Sequence, residues 1–103
     1  MKKTIMLFCS AGMSTSLLVK RMQEAADAQD LDYNIFAVAQ AEYKQRMKEA
    51  DIVLLGPQVR FLLSDAKEHA KQYDIPVDTI DMVAYGMVDG KAVLKQAMDL
   101  LGQ

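Results

Sequence analysis

TIMLFCSAGMSTSLL, residues 4–18, is the stretch on which the fold turns. It opens as an apolar run, Thr4 to Phe8, the length and character of a buried strand. At Cys9 the composition changes to small and hydroxyl-bearing residues. From Ser14 to Gln29 the spacing predicts a helix, with Leu17, Leu18, Met22, Ala25 and Ala26 on one face and Lys20, Gln23, Glu24 and Asp27 opposite.

The same alternation recurs along the chain. Asn34 to Val38 is β-rich, and Ala41 to Lys48 reads as a short polar helix. Asp51 to Leu55 is the clearest strand, stopped by Gly56-Pro57. Helical spacing returns from Arg60 to Tyr73 through Leu62, Leu63, Ala66 and Ala70. Pro76 to Ile80 is a fourth strand, and Gly90 to Leu101 a last helix using Val93, Leu94, Ala97 and Leu101. Strands that are apolar throughout, each followed by a helix, require parallel pairing with helices on both faces. The expectation is a single α/β domain over residues 1–103, flavodoxin-like, with four parallel strands in the order 2-1-3-4. In such sheets ligands bind beyond the carboxyl ends of the strands, near the switch point beside the first strand. Cys9 falls there. Gly56-Pro57-Gln58-Val59 is expected beside it, with Asp81 one place further out.

Composition narrows the classes of function. Apolar residues make up 51% of the 103 and charged ones 25%, ordinary for a globular domain. With a net charge of −2 and no basic cluster beyond Lys2-Lys3 or Lys20-Arg21, no nucleic-acid partner is expected. A single cysteine excludes an internal disulfide framework and fits a reducing compartment. Met1 to Phe8 begins like a signal peptide, but its apolar part is too short for an export core or a membrane span. A cytoplasmic location is expected. His69 lies mid-helix beside Glu68 and Lys71 on what reads as a solvated face. It has no second histidine or cysteine near it, so neither a metal nor another cofactor is expected. The eight methionines suit core gap-filling. Met13 and Val59 stand apart, as loop residues beside Cys9 that either join the core or form an apolar docking patch.

The chemistry concentrates in residues 9–16. No charged residue occurs between Lys3 and Lys20. Gly12 permits a curled backbone with its N–H groups turned inward. Ser10, Ser14, Thr15 and Ser16 add hydroxyl donors, and one of Ser14 to Ser16 is expected to cap the helix. The helix start adds unpaired N–H groups and the positive end of its dipole. Together these describe an anion site on the Cys9 sulfur, with phosphate the natural occupant. A buried cysteine acting only as a spacer would need none of that composition. A cysteine phosphatase of the low-molecular-weight type is one alternative. Its C-x5-R loop, however, places an arginine where this chain has Thr15. Without that clamp, hydrolysis is expected to be slow, and a phosphocysteine that resists water suits a carrier. A non-catalytic anion-binding module is the other alternative.

Leu7 to Val19, reading LFCSAGMSTSLLV, closely resembles the active-site segment of the enzyme IIB components of the bacterial phosphoenolpyruvate-dependent sugar phosphotransferase system, in the lactose/cellobiose/diacetylchitobiose family. Asp51 to Val59 (DIVLLGPQV) and Tyr85 to Gly90 (YGMVDG) agree as well, so the resemblance spans essentially the whole chain. The AGMSTS wording resembles the cellobiose or chitobiose branch more than the lactose branch. The resemblance implies a transferase. Cys9 would accept a phosphoryl group from a phosphohistidine of enzyme IIA and donate it to a sugar held by membrane-embedded enzyme IIC. Ser10, Ala11, Gly12, Met13, Ser14, Thr15 and Ser16 would form the phosphate-binding loop. Gln58 is expected on the rim of the pocket by its placement at the switch point. A monomer that docks transiently at the inner face of the membrane is the expected working form.

Overall fold

The computed structural model describes residues 2–9 and 12–102, except the side chains of residues 12–14. Four strands, β1 (Lys3–Cys9), β2 (Tyr33–Ala39), β3 (Ile52–Leu55) and β4 (Val77–Thr79), form one sheet in the order β2-β1-β3-β4. All three pairings are parallel, and the register sets Cys9 opposite Ala39 and Phe8 opposite both Val38 and Leu55.

The sheet pleat explains why the strands are apolar at every position. Successive side chains of β1 point to opposite faces, and both faces are covered. Ile5 and Leu7 join Leu18, Met22 and Ala26 of α1 (Gly12–Ala28) and Val93, Leu94 and Ala97 of α5 (Gly90–Leu101). Met6 and Phe8 join a second core with Tyr43 of α2 (Tyr43–Arg46), Met47, and Ala66 and Ala70 of α3 (Leu63–Ala70). Ile5, Met6, Leu7 and Phe8 are all fully buried. The expected class, sheet order and flanking helices are what the structure shows.

Several element boundaries differ from the sequence reading, for local reasons. The helix expected at Arg60 to Tyr73 is α only over α3. A 3-10 segment, Pro57–Leu62, leads into it and another, Lys71–Tyr73, ends it at Asp74, whose φ is 54°. Pro57 stops the strand and also starts the helical path, because its fixed φ suits a first turn. Residues 41–48 form α2 flanked by two 3-10 turns. A helix absent from the sequence reading, α4 (Met82–Gly86), follows β4. Asp81 caps it, its carboxylate accepting from Ala84 N at 2.9 Å. Asp89 caps α5 in the same way at Ala92 N.

Two packing expectations are also corrected. Leu17, placed by periodicity on the inner face of α1, is 45% exposed. Of the methionines, Met6, Met22 and Met47 fill the core, whereas Met82 and Met87 stand largely in solvent on and just after α4. Among the described residues, no helix is long and apolar enough to cross a membrane.

Candidate functional site

β1 delivers Cys9 to the carboxyl end of the sheet, where α1 starts three residues later. Cys9 is buried, and its Sγ makes a short hydrogen bond with Thr15 Oγ1 in the first turns of α1. Thr15 is the buried polar side chain among the described residues, and its hydroxyl is committed to the thiol. That contact holds the amino end of α1 against Cys9. The first-turn N–H groups of a helix have no partners within it, so they offer an anion a ready site beside the sulfur.

The remaining residues of the expected loop divide into three groups. Ser10 and Ala11 lie outside the described residues. Gly12 is the first residue of α1, so the curled backbone expected there gives way to helix. The expectation that one of Ser14 to Ser16 caps α1 fails for the same reason. The helix begins at Gly12, so these residues sit inside its first turns. Ser16 is exposed, whereas the side chains of Met13 and Ser14 lie outside the described residues.

β3 ends beside this site. Gly56 N donates to Phe8 O at 2.8 Å, tying the turn after β3 to the end of β1. A Cβ on Gly56 would fall 3.0 Å from Cys9 Cβ and 2.8 Å from Gln58 Oε1, so the glycine is needed for space, not for conformation. Its φ of −62° and ψ of 149° suit any residue. Gln58 lies exposed next to it, and its Nε2 donates to Tyr85 Oη at 3.0 Å. The rim position read for Gln58 thus acquires a partner that sequence reasoning missed. Val59 is fully buried in the second core, which removes it from any docking patch. Asp81 serves α4 as its cap.

A second cluster braces the β2 side. The Tyr43 ring stacks on Phe8 with centroids 4.2 Å apart and planes 1° from parallel. Its hydroxyl donates a short hydrogen bond to Asp65, which also pairs with Lys44 at 3.0 Å. Burial, then the neighbouring Asp65 carboxylate, pushes the Tyr43 phenol well above its ordinary value. The Tyr43 hydroxyl, then Lys44, holds Asp65 below the usual carboxylate range. His69 is half-buried and bonded through Nε2 to Lys44 O at 3.1 Å, so it ties α3 to α2 and is not simply solvated.

This arrangement defines a class: a doubly wound parallel α/β domain with one cysteine held at the switch point of its sheet, under the amino end of a helix. Comparison with known proteins narrows that class. The family model for the "PTS system, Lactose/Cellobiose specific IIB subunit" matches residues 4–96. The oligo-beta-mannoside-specific EIIB component of Bacillus subtilis (strain 168) is 50% identical over 99 residues, covering 96% of each chain. The galactose-specific EIIB component of Lactococcus lactis subsp. cremoris (strain MG1363) is 42% identical over 104 residues, again covering 96% of each. A solution structure of the cellobiose-specific phosphotransferase IIB component from Borrelia burgdorferi superposes with a TM-score of 0.81 at 34% identity, covering 99% of this chain and 94% of that one.

The chain belongs to the lactose/cellobiose-specific IIB family of the sugar phosphotransferase system. It is a phosphotransferase component that passes phosphoryl groups from enzyme IIA toward a sugar during uptake through enzyme IIC.

Proposed function

We propose that Cys9 is the residue that carries the phosphoryl group, cradled by the backbone and hydroxyls of residues 10–16. The buried contact between Cys9 Sγ and Thr15 Oγ1, at the start of α1, is the observation that carries this reading. The thiol attacks the phosphorus of a phosphohistidine on enzyme IIA. The S–P bond forms as the P–N bond breaks, and the thiol proton leaves with the vacated imidazole nitrogen. In the second step a hydroxyl of the sugar held by enzyme IIC attacks the same phosphorus. The O–P bond forms as S–P breaks, and the hydroxyl proton returns to sulfur. Phosphoryl transfer asks mainly for positioning and charge stabilisation, which a helix start and fixed hydroxyls supply.

Because Cys9 is buried, a donor has to seat itself over the rim to reach it. Leu17, Phe61, Met82, Val83 and Met87 are exposed apolar side chains on or next to elements that leave the carboxyl ends of the strands. Enzyme IIA docks on that face. The exchange with enzyme IIC takes place at the cytoplasmic face of the membrane. The sugar is a β-linked one of the cellobiose, chitobiose or related β-glucoside class. One relative is named for cellobiose, and another for an oligo-beta-mannoside, which shares the β-linkage but not the glucose unit.

Intact mass after incubation with phosphoenolpyruvate and the upstream phosphocarriers tests this directly. A gain of one phosphoryl group is expected, absent in Cys9→Ser although that variant folds. A serine variant that still relays at the normal rate overturns the assignment of Cys9.

A further inference from the structure

Gln58 and Tyr85 stand 27 residues apart in sequence and meet at the edge of the Cys9 site. Gln58 Nε2 donates to Tyr85 Oη, which leaves Oε1 turned toward Gly56. The space where a Gly56 Cβ would sit is bordered by both Gln58 Oε1 and Cys9 Cβ. The amide oxygen therefore faces the same gap at Gly56 that Cys9 Cβ borders.

That orientation suits a thiol and opposes a phosphocysteine. A phosphoryl group brings oxygens that only accept, carrying close to two negative charges. An amide oxygen directed at them adds repulsion, whereas an amide N–H directed at them gives a charge-assisted hydrogen bond. The terminal torsion of glutamine is broad and roughly two-fold, so a half-turn exchanges Oε1 for Nε2 at little cost. Such a turn would ordinarily forfeit the bond to the neighbour. Tyrosine avoids the loss, because its hydroxyl both donates and accepts.

Tyr85 is also well held. It is half-buried and packs against the core that includes Ala84 and Val93. The helix carrying it is fixed at its start by the Asp81 cap, and Gln96 bonds across to Asp81 N at 3.0 Å and Thr79 O at 2.9 Å.

We propose that Gln58 and Tyr85 form a two-state amide clamp that responds to the charge on Cys9. With Cys9 unmodified, Gln58 Nε2 donates to Tyr85. With Cys9 phosphorylated, the amide turns, Nε2 donates to the phosphoryl group, and Tyr85 O–H donates to Gln58 Oε1. Gln58 then contacts the transferring group, and Tyr85 is a positioning residue acting through it. The clamp rests on the reading of Cys9 as the phosphoryl acceptor.

The test uses the ¹⁵N-labelled chain, phosphorylated by its upstream carriers, with intact mass and the Gln58 side-chain NH₂ signals read on the same sample. Phosphorylation is expected to move those signals strongly. In Tyr85→Phe the unmodified Gln58 pair should drift toward free-glutamine positions. Transfer should slow about three- to tenfold with an unchanged KM for the donor, the loss of one neutral hydrogen bond. Gln58→Glu keeps an acceptor for Tyr85 but has no N–H, and should slow transfer by about tenfold or more. Phosphoryl uptake with unmoved Gln58 signals, or wild-type rates in both variants, overturns the clamp and leaves Cys9 as acceptor. Absence of uptake overturns both.

Discussion

At the scale of single residues, a hydroxyl stands beside the Cys9 thiol where related chemistry elsewhere uses a guanidinium. Thr15 occupies the position of the phosphatase arginine, and its side chain is buried against the thiol. A threonine there shares one neutral hydrogen bond with the thiol, whereas an arginine would clamp two oxygens of a phosphoryl group at once. Thr15→Val keeps the shape of the side chain and removes the donor. The expected result is a fall of about a hundredfold in phosphoryl transfer to Cys9, the scale seen when one preorganised donor is lost. Thr15→Ser, which restores the hydroxyl, should recover most of the rate. Rapid-quench transfer from the phosphorylated donor measures both. A Thr15→Val chain that transfers as fast as the parent shows that the hydroxyl does not act in the reaction.

At the scale of elements, α1 carries the site and α5 holds α1 in place. Gly90, the first residue of α5, sits directly on the α1 backbone. A Cβ there would lie 2.5 Å from the carbonyl carbon of Arg21 and 2.6 Å from Met22 N. Two effects oppose each other in Gly90→Ala. Alanine favours the helix by up to ~1 kcal/mol. Against that, the two backbones must separate, an overpacking cost of about 1–3 kcal/mol. The contact is with backbone and not with a flexible side-chain tip, so packing should win. A lower midpoint in urea with an unchanged slope is expected, and a more stable variant contradicts the close packing. The element scale also shows what was legible in the sequence. Runs such as Asp51 to Leu55 could be read as strands because parallel strands buried on both faces leave no polar positions. The α4 helix could not, because Met82, Val83 and Met87 are apolar yet exposed, and periodicity detects only faces that pack. Leu17 misled for the same reason. Its spacing is that of a core residue, yet it is 45% exposed. The Cys9 position was legible from strand, small residues and helix in succession. Tyr85 was not, since its bond to Gln58 is made by the packing of α4 beside the turn after β3 and has no local signature.

At the scale of the whole molecule, the two cores and the site occupy different parts of the sheet. Each face of β1 and β3 is sealed by its own helices, and Cys9 stands at the carboxyl end where β1 gives way to α1. Interiors packed to native density do not deform continuously, so a charge added at that end has little means of moving the far helices. The Tyr43–Asp65–Lys44 cluster and the Phe8–Tyr43 stack add rigidity on the β2 side. Phosphorylation of Cys9 should therefore shift the amide signals of residues 9–16, and those near Gln58 and Tyr85, while leaving α3 and the carboxyl half of α5 close to their unmodified positions. Hydrogen exchange in the centres of β1 and β3 should keep its protection through the cycle. The physical reason is economy of reorganisation. A carrier that meets two partners in succession works fastest when its cradle is already formed and only a side-chain amide has to turn. Broad signal changes across α3 and α5, or a loss of protection in β1, would show instead that the domain reshapes itself around the phosphoryl group, and the preformed cradle would have to be abandoned.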